Sequence, residues 1–210
     1  MKNCIQSSEE KIKEAAKFIF LKKGFAGTTA RDIAEAAGMN IALTNYYFRS
    51  KEKLFHEVFR ELFTLYCETT LGILEQPITF QEKLIRMIDE DFRLMKHEPK
   101  LVLFIMNEMH RNPEPLIPEL FKLKNVLRTK LYQQFEEEIS KGTIRPDVAP
   151  ENLVPMILGG LQFIFICRNM QMKMNDMNEE QFDVFAENHK YHLSRMITNY
   201  LFNHKEISTS

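Results

Sequence analysis

Four side chains of one short, uncharged stretch, Ala42, Asn45, Tyr46 and Tyr47 of IALTNYY, suit contact with a nucleic acid. An asparagine amide can bond an adenine edge at two points, and an alanine can pack on a thymine methyl. Tyrosine hydroxyls can reach phosphate oxygens. Lys51 adds a positive charge at a helix N-terminus, where anions already bind well. The contact set expected from these types is Thr29, Arg31, Asn40, Ile41, Ala42, Asn45, Tyr46, Tyr47 and Lys51. Ala42 and Asn45 would read bases. Thr29, Arg31, Tyr46, Tyr47 and Lys51 would hold the backbone.

Such a set works only if a short helix presents it. Thr29 stands at an N-cap position with Asp32 three residues on, so a hydroxyl can accept from an orphan N–H and an acid sits in the first turn. Ile33, Ala34 and Ala37 repeat at helical spacing, and the small alanines allow close helix approach. Gly38 can take the left-handed conformation that stops this helix. Asn40 can cap a second helix, Ile41 to Tyr47, and Ser50 a third that begins at Lys51. Two short helices across a glycine turn form a helix-turn-helix, the unit that lays its second helix into the DNA major groove. The plainer alternative is a buried helix hairpin with two core tyrosines.

These residues resemble the N-terminal signature of the TetR/AcrR family of transcriptional regulators. The elements are Thr29, Ile33-Ala34, Ala37-Gly38, Tyr46-Tyr47-Phe48 and Ser50-Lys51-Glu52-Lys53-Leu54-Phe55. Upstream, Ala15, Ala16 and Phe18 on an amphipathic helix, then Lys23-Gly24-Phe25 and Thr28-Thr29, fit as well. Two positions depart from the pattern. Thr44 replaces a larger aliphatic residue, and Asn45 stands where many members have tyrosine. The second change touches base readout, so no relative's operator can be borrowed. The resemblance covers about the first quarter of the chain and implies a homodimeric regulator.

Composition allows this reading. The chain has 210 residues, 44% hydrophobic and 27% charged, with net charge −1. That balance alone argues against a nucleic-acid binder, but the charge is uneven. Residues 1–60 hold 11 Lys+Arg against 7 Asp+Glu, and the remainder 17 against 22. A basic N-terminal part on an acidic remainder is expected if only the former meets phosphate. The polar stretch Met1 to Glu10 is not expected to serve as a signal peptide. The apolar run Leu153 to Cys167 is too short to span a bilayer comfortably and contains Pro155 and Gly159-Gly160. Three well-separated cysteines, Cys4, Cys67 and Cys167, suit a reducing cytoplasm rather than a disulfide scaffold. No membrane partner is expected.

The remainder reads as helix, giving an all-α fold of about nine helices. A three-helix DNA-binding domain over 1–50 precedes a ligand-binding and dimerisation domain over 51–210, with helix 51–74 linking them. Further helices are expected near 79–97, 100–111, up to Ser140, 150–173 and 178–204, with Asn112 to Pro118 a turn. The helix from Pro150 is apolar nearly all round and needs burial on more than one side. The last helix is amphipathic. Paired across a two-fold axis, the two could form a four-helix interface through Leu161, Phe165, Phe182, His189, Leu193, Met196, Ile197 and Tyr200.

Phe and Met are frequent in the centre of the chain and can line a pocket for an apolar or amphipathic small molecule. The candidate lining is Phe92, Met95, Phe104, Phe121 and Phe163, with Asn107, His110, Gln162 and Arg168 as polar groups. His189 and His192, three apart, could share a metal, but no cysteine stands beside them, so packing at the seam is expected instead. No cofactor is expected. There is no G-x-S-x-G, H-E-x-x-H, phosphate-cradling glycine loop or dinucleotide fingerprint, so no catalysis is expected either. The competing reading keeps the fold but makes it a small-molecule-binding protein or enzyme in which the hairpin is only structural. Salt-dependent binding to duplex DNA separates the two.

Overall fold

The computed structural model describes residues 7–111, 121, 125 and 128–202. These residues form ten α-helices and no strand. They are α1 (Ser8–Lys23), α2 (Ala30–Ala37), α3 (Ile41–Phe48), α4 (Lys51–Leu74), α5 (Phe80–His97), α6 (Pro99–Arg111), α7 (Gln133–Ser140), α8 (Pro150–Ile166), α9 (Arg168–Met174) and α10 (Glu179–Phe202). A single π-helical turn, Arg128–Tyr132, leads into α7. The expected turn from Asn112 to Pro118 lies outside the described residues. The expected helix over 150–173 is broken at Cys167, where α8 and α9 meet at 61°. Alone, no described helix is long and apolar enough to cross a membrane, although this bent pair has the length and composition together.

Local sequence sets most helix starts. Ser7 with Glu10, Thr29 with Asp32, and Thr79 with Glu82 each form a reciprocal capping box. Asn178 and Gln181 exchange the same two bonds, each 2.9 Å. Each box satisfies two backbone donors that the first turn leaves unpaired.

The chain divides into two compact units, and the division is discontinuous. The first comprises Met1–Cys67 and Lys100–Phe121, the second Glu68–Pro99 and Lys122–Ser210. This differs from the boundary expected at residue 50, because α4 as far as Cys67 and all but the first residue of α6 group with α1 to α3. Leu54, Phe55, Val58 and Phe59 of α4 are buried, as are Ile12, Ala16 and Phe20 of α1 and Phe104 of α6. Phe55 is the hub, with ring centroids 5.2 Å from Phe20, 4.8 Å from Phe25 and 5.6 Å from Phe104. Such tilted and edge-on pairs add to the burial of each ring.

In the second unit, α5, α8 and α10 pack together. Their core is Leu84, Ile88 and Phe92 from α5, Leu153, Ile157, Leu161, Ile164 and Phe165 from α8, and Phe182, Ala186, Ile197 and Leu201 from α10. Rings run edge-on from Phe92 to Phe165 (5.6 Å) and on to Phe182 (6.1 Å). His189 Nε2 of α10 lies 2.9 Å from the Gly160 carbonyl of α8.

Candidate DNA-binding site

The α2–turn–α3 geometry follows from its residues. The Thr29 hydroxyl accepts from Asp32 N at 3.1 Å and donates to the Asp32 carboxylate at 2.7 Å. Asp32 also pairs with Lys23 at 2.7 Å, tying α2 to the end of α1. The bond to Lys23, then those from Thr29, hold the Asp32 carboxyl well below the usual carboxylate range. Gly38 ends α2 in the left-handed region at φ 66°, and Met39 N donates back to Ala34 O at 2.9 Å. That closure satisfies late carbonyls of α2 and turns the chain toward α3. Asn40 Oδ1 then accepts from Leu43 N at 2.8 Å. The Asn40 side-chain oxygen is therefore engaged in the cap, while the residue as a whole is exposed.

On α3 the two faces separate cleanly. Thr44 and Phe48, one turn apart, are buried. Ile41, Ala42, Asn45 and Tyr46 are exposed, at the i, i+1, i+4 and i+5 positions of one face. Tyr46 is 78% exposed, which excludes the reading as a core tyrosine. Tyr47 is also exposed and meets Tyr46 edge-on at 5.4 Å. Arg31 is exposed on the first turn of α2. Eight of the nine predicted contact residues are thus exposed.

Lys51 is the exception. Its amine donates to the carbonyls of Phe25 (3.0 Å) and Thr28 (2.9 Å) and lies 4.2 Å from the Phe25 ring centroid. The α1–α2 turn ends with carbonyls that no helix satisfies, and the lysine turns inward to them rather than outward to phosphate. Arg49, which is not in the expected contact set, sits in the two-residue connection from α3 to α4. Its φ is 59°, and its side chain is exposed.

The predicted effector residues do not converge. Phe104, Asn107, His110 and Phe121 belong to the first unit, and Phe92, Met95, Gln162, Phe163 and Arg168 to the second. Phe104 is core, packed on Phe55 and Phe59. Asn107, His110 and Phe121 are exposed. Phe92 and Met95 are buried, whereas Phe163 is 57% exposed on the surface of α8. Gln162 is half-buried. Arg168 stacks over Phe182 and pairs with Glu179, and its buried Nε has no hydrogen-bond partner among the described residues. A cleft of about 660 Å³ opens elsewhere in the second unit, lined by Ile78, Phe80, Lys83, Gln134, Glu137 and Lys141 among others, none of them predicted.

The predicted dimer residues divide too. Leu161, Phe165, Phe182 and Ile197 are buried within their own chain and are not open to a partner. His189 and Leu193 are half-buried, and Met196 and Tyr200 are exposed. The apolar residues that α8 does expose, Met156, Phe163 and Ile166, repeat every seven and three residues along one face. Helical periodicity alone could not say which stripe of an all-apolar helix faces out.

Residues 12–58 match the model of the bacterial regulatory proteins of the tetR family. The chain is 28% identical to "Probable HTH-type transcriptional regulator YttP" of Bacillus subtilis, over 64% of this chain and 66% of that one. It is 25% identical to the HTH-type transcriptional repressor KstR2 of Mycolicibacterium smegmatis, over 68% of this chain and 70% of that one. The alignments thus span about two thirds of these relatives. Among solved structures, the transcriptional regulator FadR from Bacillus subtilis, in complex with stearoyl-CoA, superposes with TM-score 0.65 at 20% identity, covering 88% of this chain and 96% of that one. The motif residues, the helix-turn-helix geometry and these relatives agree on the N-terminal part: residues 12–58 are a DNA-binding region of the kind found in the tetR family of bacterial regulatory proteins.

Proposed function

We propose that the protein is a DNA-binding transcriptional repressor that works as a homodimer and responds to a small molecule. The observation that carries this reading is α3, which buries Thr44 and Phe48 and turns Ile41, Ala42, Asn45 and Tyr46 outward. Asn45 and Ala42 read base edges. Arg31, Tyr46, Tyr47 and the α2 N-terminus at Thr29 hold the sugar-phosphate backbone, and Asn40 and Ile41 flank the groove. Two copies, joined through the exposed faces of α8 and α10, present two α3 helices to half-sites about 34–36 Å apart on a pseudo-palindrome. The protein acts in the cytoplasm, where its DNA is.

The effector is apolar or amphipathic, and FadR bound to stearoyl-CoA is a precedent on this fold. Bound in the second unit, it would act through α4, whose residues fall in both units. Its leverage is its difference in affinity between the DNA-competent and incompetent states.

Selection of bound duplexes from a random pool tests the reading. An inverted repeat is expected. Asn45→Ala should lose about 1–3 kcal/mol of discrimination at one base pair of each half-site. Tyr46→Ala should weaken all sequences alike. A pool that yields no enriched sequence, from a folded protein with no salt-dependent duplex binding, would sink the proposal in favour of a purely structural hairpin.

A further inference from the structure

The connection between α3 and α4 holds two cations, Arg49 and Lys51, on either side of Ser50. In the structure they have opposite surroundings. An ammonium group has three N–H bonds to place. Lys51 directs two at the Phe25 and Thr28 carbonyls, and its charge sits over the Phe25 ring. It is half-buried. The same turn is fastened from within, where Thr28, itself buried, donates its hydroxyl to Gly24 O at 2.7 Å. Thr29, the next residue, is the N-cap of α2. Lys51 is the first residue of α4, so its amine links the start of α4 to the start of α2.

Arg49 has φ 59° and ψ −37°, and Ser50 N donates across it to Phe48 O at 2.6 Å. This is a γ-turn of the positive-φ kind, which is rare and strained for a residue with a Cβ. Glycine would relieve that strain. Strain of this sort persists where the surrounding structure imposes it, often at functional positions. Arg49 N also donates to Asn45 O at 2.8 Å, closing the last turn of α3. The guanidinium is exposed and makes no hydrogen bond or ion pair among the described residues. The C-terminal end of a groove-bound helix is a place where backbone contacts are made.

We propose that the two cations divide the work of DNA binding: Arg49 carries its charge to a DNA phosphate, while Lys51 is a positioning residue that locks the α1–α2 turn to α4. This rests on the DNA-binding reading above. It makes Lys51 important for affinity without a contact to DNA, and it places a phosphate contact at a position defined by its backbone conformation.

The two roles differ in salt dependence. Each phosphate contact adds about 0.9 to the slope of log K against log salt, whereas a positioning residue adds nothing to it. Wild type, Arg49→Gln, Lys51→Met and Lys51→Gln are titrated at several salt concentrations on a duplex that wild type selects from a random pool. Arg49→Gln should flatten the slope by about one per protomer. Lys51→Met should bind about tenfold more weakly at every salt concentration, with the wild-type slope. Lys51→Gln, which keeps amide donors but no charge, should keep that slope and recover part of the affinity. If Lys51→Met does not fold, the slope of Lys51→Gln decides. A slope flattened by about one in either Lys51 variant, or an unchanged slope in Arg49→Gln, overturns the division of roles. Wild type that selects no duplex overturns the DNA-binding reading itself, and this inference with it.

Discussion

Asp32 shows how one side chain can serve two elements. It caps its own helix through Thr29 and holds the end of α1 through Lys23. Because its folded pKa is depressed, its contribution to stability is complete above the unfolded value, near 4, and is lost as pH falls further. Asp32→Asn should therefore unfold more easily than wild type near neutrality, and the gap should begin to narrow as pH falls below about 4 and go on narrowing at lower pH. Thermal melts of both proteins across that range check it; a gap that does not depend on pH would mean the carboxylate charge is immaterial. Thr29, Asp32, Gly38 and Asn40 were legible in the sequence because a cap or a left-handed stop involves residues only a few positions apart. Lys51 was not legible. Its acceptors lie 26 and 23 residues earlier in the chain, and a flexible lysine gives no sign of which way it will bend.

Helix starts were readable for the same reason, and helix interiors less so. Pro155, Gly159 and Gly160 lie within α8 without ending it, while the break falls at Cys167, whose residue type carries no such signal. The π-helical turn at Arg128–Tyr132 has no sequence marker either. The α1–α2 turn is constrained more tightly than its residues suggest. A Cβ added at Gly27 would stand 2.5 Å from the Lys23 carbonyl oxygen, a backbone atom that cannot move without moving the end of α1. Gly27→Ala should destabilise the protein by about 1–3 kcal/mol through this overpacking. A lower midpoint in urea, with an unchanged slope, is the expected signature.

At the scale of the whole molecule, fold class and N-terminal function were readable, but the pocket and the dimer seam were not. Both depend on which apolar residues face outward, and a chain rich in Phe and Met gives too little contrast to tell. Exposed Phe163 and Met196, on α8 and α10, carry the proposed seam. Phe163→Asp together with Met196→Asp should give a folded monomer with much weaker operator binding, since each half-site then binds alone. Sedimentation would check it, and a doubly substituted protein that stays dimeric would place the seam elsewhere. The discontinuous first unit has a consequence for biosynthesis. Phe104 supplies part of the wall around Phe55 and Phe59, yet it is made 49 residues after Phe55. While α5 is being synthesised, the helix-turn-helix exists with that wall open and an aromatic cluster uncovered. The nascent chain cannot complete its DNA-reading end until α6 has left the ribosome, so binding competence and synthesis of the later helices are ordered in time.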